Sequence, residues 1–141
     1  MKKLKPRKTV IKNLDKIFSQ YIRLRDCRRT TQTDDQGLCI TCGKLVHYKQ
    51  AHCGHFHTRG AMNLRWDERN AHLQCCGCNT YRAGEQAKHA LAIESMYDRE
   101  VLDELMQLER DWKAGNAKVG TGDLRELLEY WKLKLKQLKE T

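Results

Sequence analysis

The stretch CITCGKLVHYKQAHCGHFHTRGAMNLRWDERNAHLQCCGCN, residues 39–79, opens and closes on two cysteines spaced two residues apart. The pairs are Cys39-Ile40-Thr41-Cys42, followed by Gly43, and Cys75-Cys76-Gly77-Cys78, with thirty-two residues between Cys42 and Cys75. Two thiolates at that spacing reach one ion from a tight turn, and two such turns complete a tetrahedral shell of four sulfurs, the ligand set of a structural zinc site. A closed shell leaves no position for water, so any catalysis must lie elsewhere in the chain. Cys76 lacks the spacing to join the shell, and Cys27 and Cys53 read as free or buried thiols.

Outward from the knuckles, 141 residues allow one compact domain, or a small core with helical extensions. With 40% of residues hydrophobic and 32% charged, a small metal-stapled core is expected rather than a large self-sufficient one. The chain has no apolar run of about eighteen residues that could span a membrane, and the basic segment MKKLKPRKTVIKNLDKIF lacks the features of a secretory signal. A reducing cytoplasm is therefore expected, where seven cysteines serve as metal ligands and buried thiols rather than disulfides. The net charge of +9 sits at the front: residues 1–29 hold 11 Lys/Arg against 2 Asp/Glu, and the remainder holds 16 of each. A basic arm over residues 1–10 suits a polyanion, with Lys2, Lys3, Lys5, Arg7, Lys8 and Lys12 neutralising phosphates without reading sequence. A solvated arm that aids solubility is the plain alternative. A membrane partner is not expected.

Ile11, Leu14, Phe18, Tyr21 and Ile22 recur at helical spacing and predict an amphipathic helix over 11–27. The texture from Leu38 to His57 is short and alternating, which suits small β-hairpins, and residues 58–69 read as a loop. Helix formers dominate from Asn79 or Ala83 to about Leu108, with Asp98 placed to cap a restart after Tyr97. KAGNAKVGTG is a linker, and Asp123 with Glu126 opens a last helix to about Lys139. In that helix Leu124, Leu128, Trp131, Leu135 and Leu138 form a heptad seam. Packing onto the helix at 99–108 is its ordinary explanation, and a homodimer through the C-terminal helix is the other. The chain thus divides into the arm (1–10), a zinc-containing core with flanking helices (11–115) and a C-terminal helix for packing or dimerisation (116–141).

Between the knuckles lie Gly54-His55-Phe56, with Asn70 five residues before Cys75 and Asn79 directly after Cys78. This arrangement resembles the HNH, or ββα-metal, nucleases of treble-clef type. The segments CITCG, QAHCGHFHTRG and NLRWDERNAHLQCCGCNTYRAG resemble more closely the NinG/Rap recombination endonucleases of lambdoid phages, from the helix near Leu14 through the helical C-terminus. The longer N-terminal region of some members is not part of the resemblance. It implies an α+β fold: a small zinc-stapled treble-clef/ββα-metal core with flanking N- and C-terminal helices. It also implies a divalent-metal-dependent DNA endonuclease acting on branched recombination intermediates such as the Holliday junction, in a bacterial host.

The resemblance assigns roles that the residue types suit. His55, on the second strand of a hairpin, would be the general base, since imidazole titrates near neutral pH. Asn79 would give an amide oxygen to a catalytic Mg2+ or Mn2+, and Asn70 would tie the loop to the hairpin and so orient the histidine. Wider HNH nucleases often carry an acidic ligand just before the base, where this chain has Gly54. His52, Cys53 and His57 are the nearby substitutes, and His57 is preferred because a regular strand puts it on the face of His55. Arg59, Arg65, Arg69 and Arg82 flank the centre and suit phosphate, with Arg65 matching the family pattern best; surface salt bridges to Asp67, Glu68 or Glu85 are the plain reading of each. Trp66 reads as core, His72 as a histidine without a role, and His47 and His89 as surface residues. A zinc-stapled module that holds DNA without cutting it, or an adaptor for a recombination complex, would need neither His55 nor Asn79.

Overall fold

Pro6 fixes the turn that starts α1 (Arg7–Thr31), its carbonyl accepting from the backbone of Thr9 and Val10 at 3.0 and 3.1 Å. The computed structural model describes residues 2–141, so Met1 of the expected arm lies outside the described residues. The helix is one turn longer at each end than its apolar periodicity predicts. Gln32 ends it in the left-handed conformation (φ 58°), its N–H reaching Arg28 O, and Arg28 and Arg29 oppose the negative end of the helix dipole.

Thr30 and Thr31 bond back to the Asp26 and Cys27 carbonyls and also hold the chain that follows: Leu38 N–H donates to Thr30 Oγ1, and Thr31 Oγ1 donates to Gln36 O. That chain is β1 (Gln36–Leu38), antiparallel to β2 (Leu45–His47), with the first cysteine knuckle between them. A second antiparallel pair follows, β3 (His52–His55) with β4 (Ala71–Gln74), in register His52 to Gln74 and His55 to Ala71. His55 therefore ends the first strand of its hairpin, not the second. The strand Ala71–Gln74 alternates apolar Ala71 and Leu73 with polar His72 and Gln74, and all four are buried because the polar pair bonds within the protein, His72 to His89 and Gln74 to Gly84 O. Side chains of α1 cover its open edge. Asp26 accepts from Leu73 N–H at 2.8 Å, Arg25 donates to Ala71 O at 2.8 Å, and Ile40 N–H donates to Leu73 O at 2.9 Å, which blocks that edge to an intruding strand.

After the second knuckle a single π-helical turn, Gly77–Tyr81, gives way to three consecutive residues with positive φ, Ala83, Gly84 and Glu85. Tertiary bonds override helix propensity here. Gln74 Nε2 donates to Gly84 O and Gly84 N–H to Cys78 O, so α2 (Gln86–Met96) starts later than its composition suggests. Asp98 caps α3 (Arg99–Lys113) by accepting from Val101 N–H at 2.8 Å. The linker leads to α4 (Thr121–Lys139), where Asp123 accepts from Gly120 N–H and starts the helix two residues before itself.

The heptad seam does not pack onto α3. Leu124, Leu128, Trp131 and Leu135 are buried against Val10, Leu14, Phe18, Tyr21 and Ile22 of α1, and Trp131 meets Phe18 edge-on at 5.0 Å. Each fully buried leucine of this contact contributes roughly 1.5–3 kcal/mol. A homodimer through the seam would have to separate α4 from α1. Helix α3 packs instead with α2 over the loop that follows β3, around Phe56, Leu64, Ile93 and Leu105. His89 belongs to this inner side of α2 and is fully buried, four residues before Ile93, which corrects its expected place at the surface. The fold is α+β, with two small sheets and helices around a cysteine cluster. No helix among the described residues is long and apolar enough to cross a membrane.

Candidate functional site

The sulfurs of Cys39, Cys42, Cys75 and Cys78 lie within 4.8 Å of one another, and Cys42 Sγ is 3.7 Å from Cys75 Sγ. A tetrahedron with zinc–sulfur bonds of about 2.3 Å has edges of about 3.8 Å, so the four donors match a zinc shell. Gly43 makes the first knuckle possible with φ 76°, its N–H closing on Cys39 O at 2.9 Å. The surroundings suit thiolates: Cys78 N–H points at Cys75 Sγ at 3.4 Å, and Arg82 Nη2 donates to Cys78 Sγ at 3.1 Å. Burial first, and then hydrogen bonding among the neighbouring sulfurs, push Cys42 up to about 12 in the absence of a cation. The donor set and its spacing therefore fit a structural zinc ion. Cys27 and Cys53 lie outside this cluster, and Cys76 is exposed beside it.

About the second hairpin opens a cleft of about 380 Å³ whose walls include His52, His55 and Asn79, with Arg59 at the rim and Asp15 and Arg23 from α1. His55 Nε2 lies 2.8 Å from the carbonyl oxygen of Arg65. A carbonyl only accepts, so the proton sits on Nε2 and Nδ1 keeps its lone pair. Burial, followed by the nearby Arg59 and Arg65 charges, outweighs the carbonyl and holds His55 below the usual histidine value, hence neutral at pH 7. Asn79, fixed by its N–H on Cys75 O, brings its side-chain amide to 3.0 Å from His52 Nδ1. The zinc knuckle thus sets Asn79, and β3 sets His52 and His55, around the one cleft.

Asn70 is fully buried and does not reach the cleft. Its Oδ1 accepts from His57 N–H at 2.9 Å, and its Nδ2 donates to the His57 and Leu64 carbonyls. It ties the 56–70 loop to the end of the hairpin.

His57 is not brought to the cleft, contrary to its expected role as the substitute ligand. Strand β3 stops at His55, so the alternation that would align His57 with it stops as well. His57 is buried against α3, its Nδ1 at 2.6 Å from a Glu109 carboxylate oxygen. The histidine that lies beside Asn79 in the cleft is His52. Gly54 has its own reason: a Cβ there would lie 1.9 Å from Gln74 Oε1, so the side chain of Gln74 fills the room that a residue at 54 would need.

The arginines part company. Arg59 is exposed on the cleft rim and makes no ion pair among the described residues. Arg65 is spent on Asp15, with Nε at 3.0 Å and Nη2 at 2.5 Å from its two oxygens. Arg82 faces the cysteine sulfurs and Glu85, and Arg69 bridges Asp67 and Glu104. Arg23, which composition did not single out, lines the cleft, stacks 4.4 Å above Tyr48 and donates to its carbonyl. Lys2, Lys3 and Lys5 lie exposed beside α4, where Arg125 donates to Lys5 O, and Arg7 bonds Thr121. Lys8 and Lys12 are exposed on α1. Trp66 is buried, as expected, and His47 is exposed. His72 is buried with its Nδ1 2.9 Å from His89 Nε2.

Comparison with known proteins gives this arrangement a family. The family described as Bacteriophage Lambda NinG protein matches over residues 1–141. The protein named ninG of Escherichia phage 933W is 34% identical over 103 residues, 72% of this chain and 47% of that protein. The ninG proteins of Escherichia phage lambda and Salmonella phage P22 are 34% and 33% identical over 103 residues, in each case 72% of this chain and 46% of theirs. The chain therefore spans about half the length of the curated relatives it matches. No solved structure matches it. The matched family, the cysteine cluster and the α+β fold agree, and the chain belongs to the bacteriophage NinG family.

Proposed function

We propose that the chain is a divalent-metal-dependent DNA endonuclease of HNH type, with branched recombination intermediates of the Holliday junction class as its substrate. The observation that carries this reading is the pairing in one cleft of His55, its proton fixed on Nε2 by the Arg65 carbonyl, with Asn79 and its neighbour His52. A protein that only held DNA would have no use for a neutral, oriented imidazole in the same cleft as the Asn79 side chain.

His55 Nδ1 takes a proton from the attacking water, and the hydroxide so formed adds to phosphorus while the bond to the 3′ oxygen breaks. Asn79 and His52 would hold a Mg2+ or Mn2+ ion, and one hard oxygen with one nitrogen donor suits the softer Mn2+ better. Such an ion supplies the Lewis acidity that stabilises charge on the phosphorane and the departing oxygen. Arg59 on the rim would bind a neighbouring phosphate, and Lys2, Lys3, Lys5, Lys8 and Lys12 would hold the flanking backbone. The four-cysteine site is structural and takes no part in the chemistry. The branched substrate follows from family resemblance alone.

His55→Ala and Asn79→Ala should abolish cleavage while junction affinity stays within a few-fold, measured by single-turnover kinetics and equilibrium binding. Cleavage by His55→Ala at the wild-type rate would remove the base from the mechanism.

A further inference from the structure

Asp15 belongs to α1, outside both the hairpin and the knuckles, yet its carboxylate reaches into the cleft wall. Oδ1 accepts from Arg65 Nε and from Trp66 Nε1, both at 3.0 Å, and Oδ2 accepts from Arg65 Nη2 at 2.5 Å. The two residues so gripped are consecutive. The peptide that joins them carries the Arg65 carbonyl, the group that meets His55 Nε2 at 2.8 Å.

We infer that Asp15 is a positioning residue for His55: by clamping Arg65 and Trp66 it aims the carbonyl between them and so fixes which imidazole nitrogen carries the proton. The inference rests on the reading of His55 as the base. Three features carry it. The grip is bidentate on Arg65, which sets the direction of the guanidinium as well as its place. The indole is buried, so its N–H has to be satisfied within the protein, and Asp15 is its partner. The residues around the peptide form a run of turns with Arg65 N–H on Ala61 O, so the loop has no strand partner of its own to hold the carbonyl in line.

The clamp also assigns Arg65 a different place from the phosphate contact its sequence context suggests. Its charge is neutralised by Asp15, and both side chains are largely covered, at 16% and 25% exposed. Without Asp15, Arg65 would stand as a free cation beside the cleft and the cleft would lose a negative charge. Substitution of Asp15 should therefore move binding and turnover in opposite directions, which loss of structure cannot do.

The test is 15N-imidazole NMR on the full zinc-loaded chain, read together with junction affinity and single-turnover cleavage. Wild-type His55 should show the Nε2–H tautomer. In Asp15→Ala it should become a mixture of tautomers, with cleavage at saturating junction down about ten- to hundred-fold and affinity equal or tighter. Arg65→Lys keeps the charge and removes the fork, so it should lose the tautomer from the other side of the clamp. A folded Asp15→Ala or Arg65→Lys with His55 still purely Nε2–H would overturn the inference, as would turnover and affinity falling together in both. A tautomer that responds to Asp15 in a chain that cuts no DNA would support the clamp and refute the nuclease.

Discussion

Acid should unfold this protein through a pair of histidines that the proposed chemistry does not use. His72 and His89 are fully buried with one N–N contact of 2.9 Å, where one ring donates and the other accepts. A second proton would put two donors face to face in a dry site. Burial first, then Arg25, His89 and Arg29, drive His72 far below the usual histidine value. Burial and then His55 take His89 down to about 4, against the partial resistance of Asp26. Because the folded chain refuses a proton that the unfolded chain accepts at about 6.5, stability is complete above about pH 6.5 and falls as the pH drops towards 4. His89 alone should withdraw about 2.5 kcal/mol between pH 7 and pH 4.5, and His72 adds to it in the same direction. That is a large part of the roughly 5–15 kcal/mol that holds a domain folded. The assay is urea unfolding across this range for the wild type and for the double variant His72→Leu/His89→Leu at the same free zinc concentration. Zinc release from protonated cysteines affects both proteins and cancels in the difference. A double variant that loses stability as steeply as the wild type would refute the reasoning.

Other consequences concern the metals. Elemental analysis should find one zinc per chain, lost in Cys42→Ser and Cys75→Ser, whose middle segments should unfold, and retained in Cys27→Ser and Cys76→Ser. His52→Ala should raise the Mn2+ concentration needed for half-maximal cleavage about ten-fold or more. In His57→Ala that titration should stay unchanged while thermal stability falls, since the variant removes a buried ring and its contact with Glu109; the reverse pattern would return the ligand role to His57.

The knuckles were legible because metal ligands obey short spacings that no tertiary contact alters. Asp98 was legible as a cap for the same reason: its acceptor and the Val101 N–H are three residues apart. The heptad seam of α4 revealed an apolar face but not its partner, since α1 and α3 both offer one and only packing decides between them. His57 was misplaced because strand alternation says nothing about where the strand ends. The grip of Asp15 on Arg65 spans fifty residues, so nothing local to either residue announces it. His89 is the case where more could have been read, because Ile93 four residues on marks the inward stripe of α2.

The most direct measurement is cleavage of an end-labelled four-way junction by the purified chain, beside a fork and a linear duplex, with Mn2+ or Mg2+ and with EDTA. The account predicts nicks ending in 5′ phosphate and 3′ hydroxyl, formed on the junction in preference to the duplex, dependent on the divalent ion and absent in EDTA. Junction bound tightly but left intact under every divalent ion, by a chain whose zinc site is full, would contradict it.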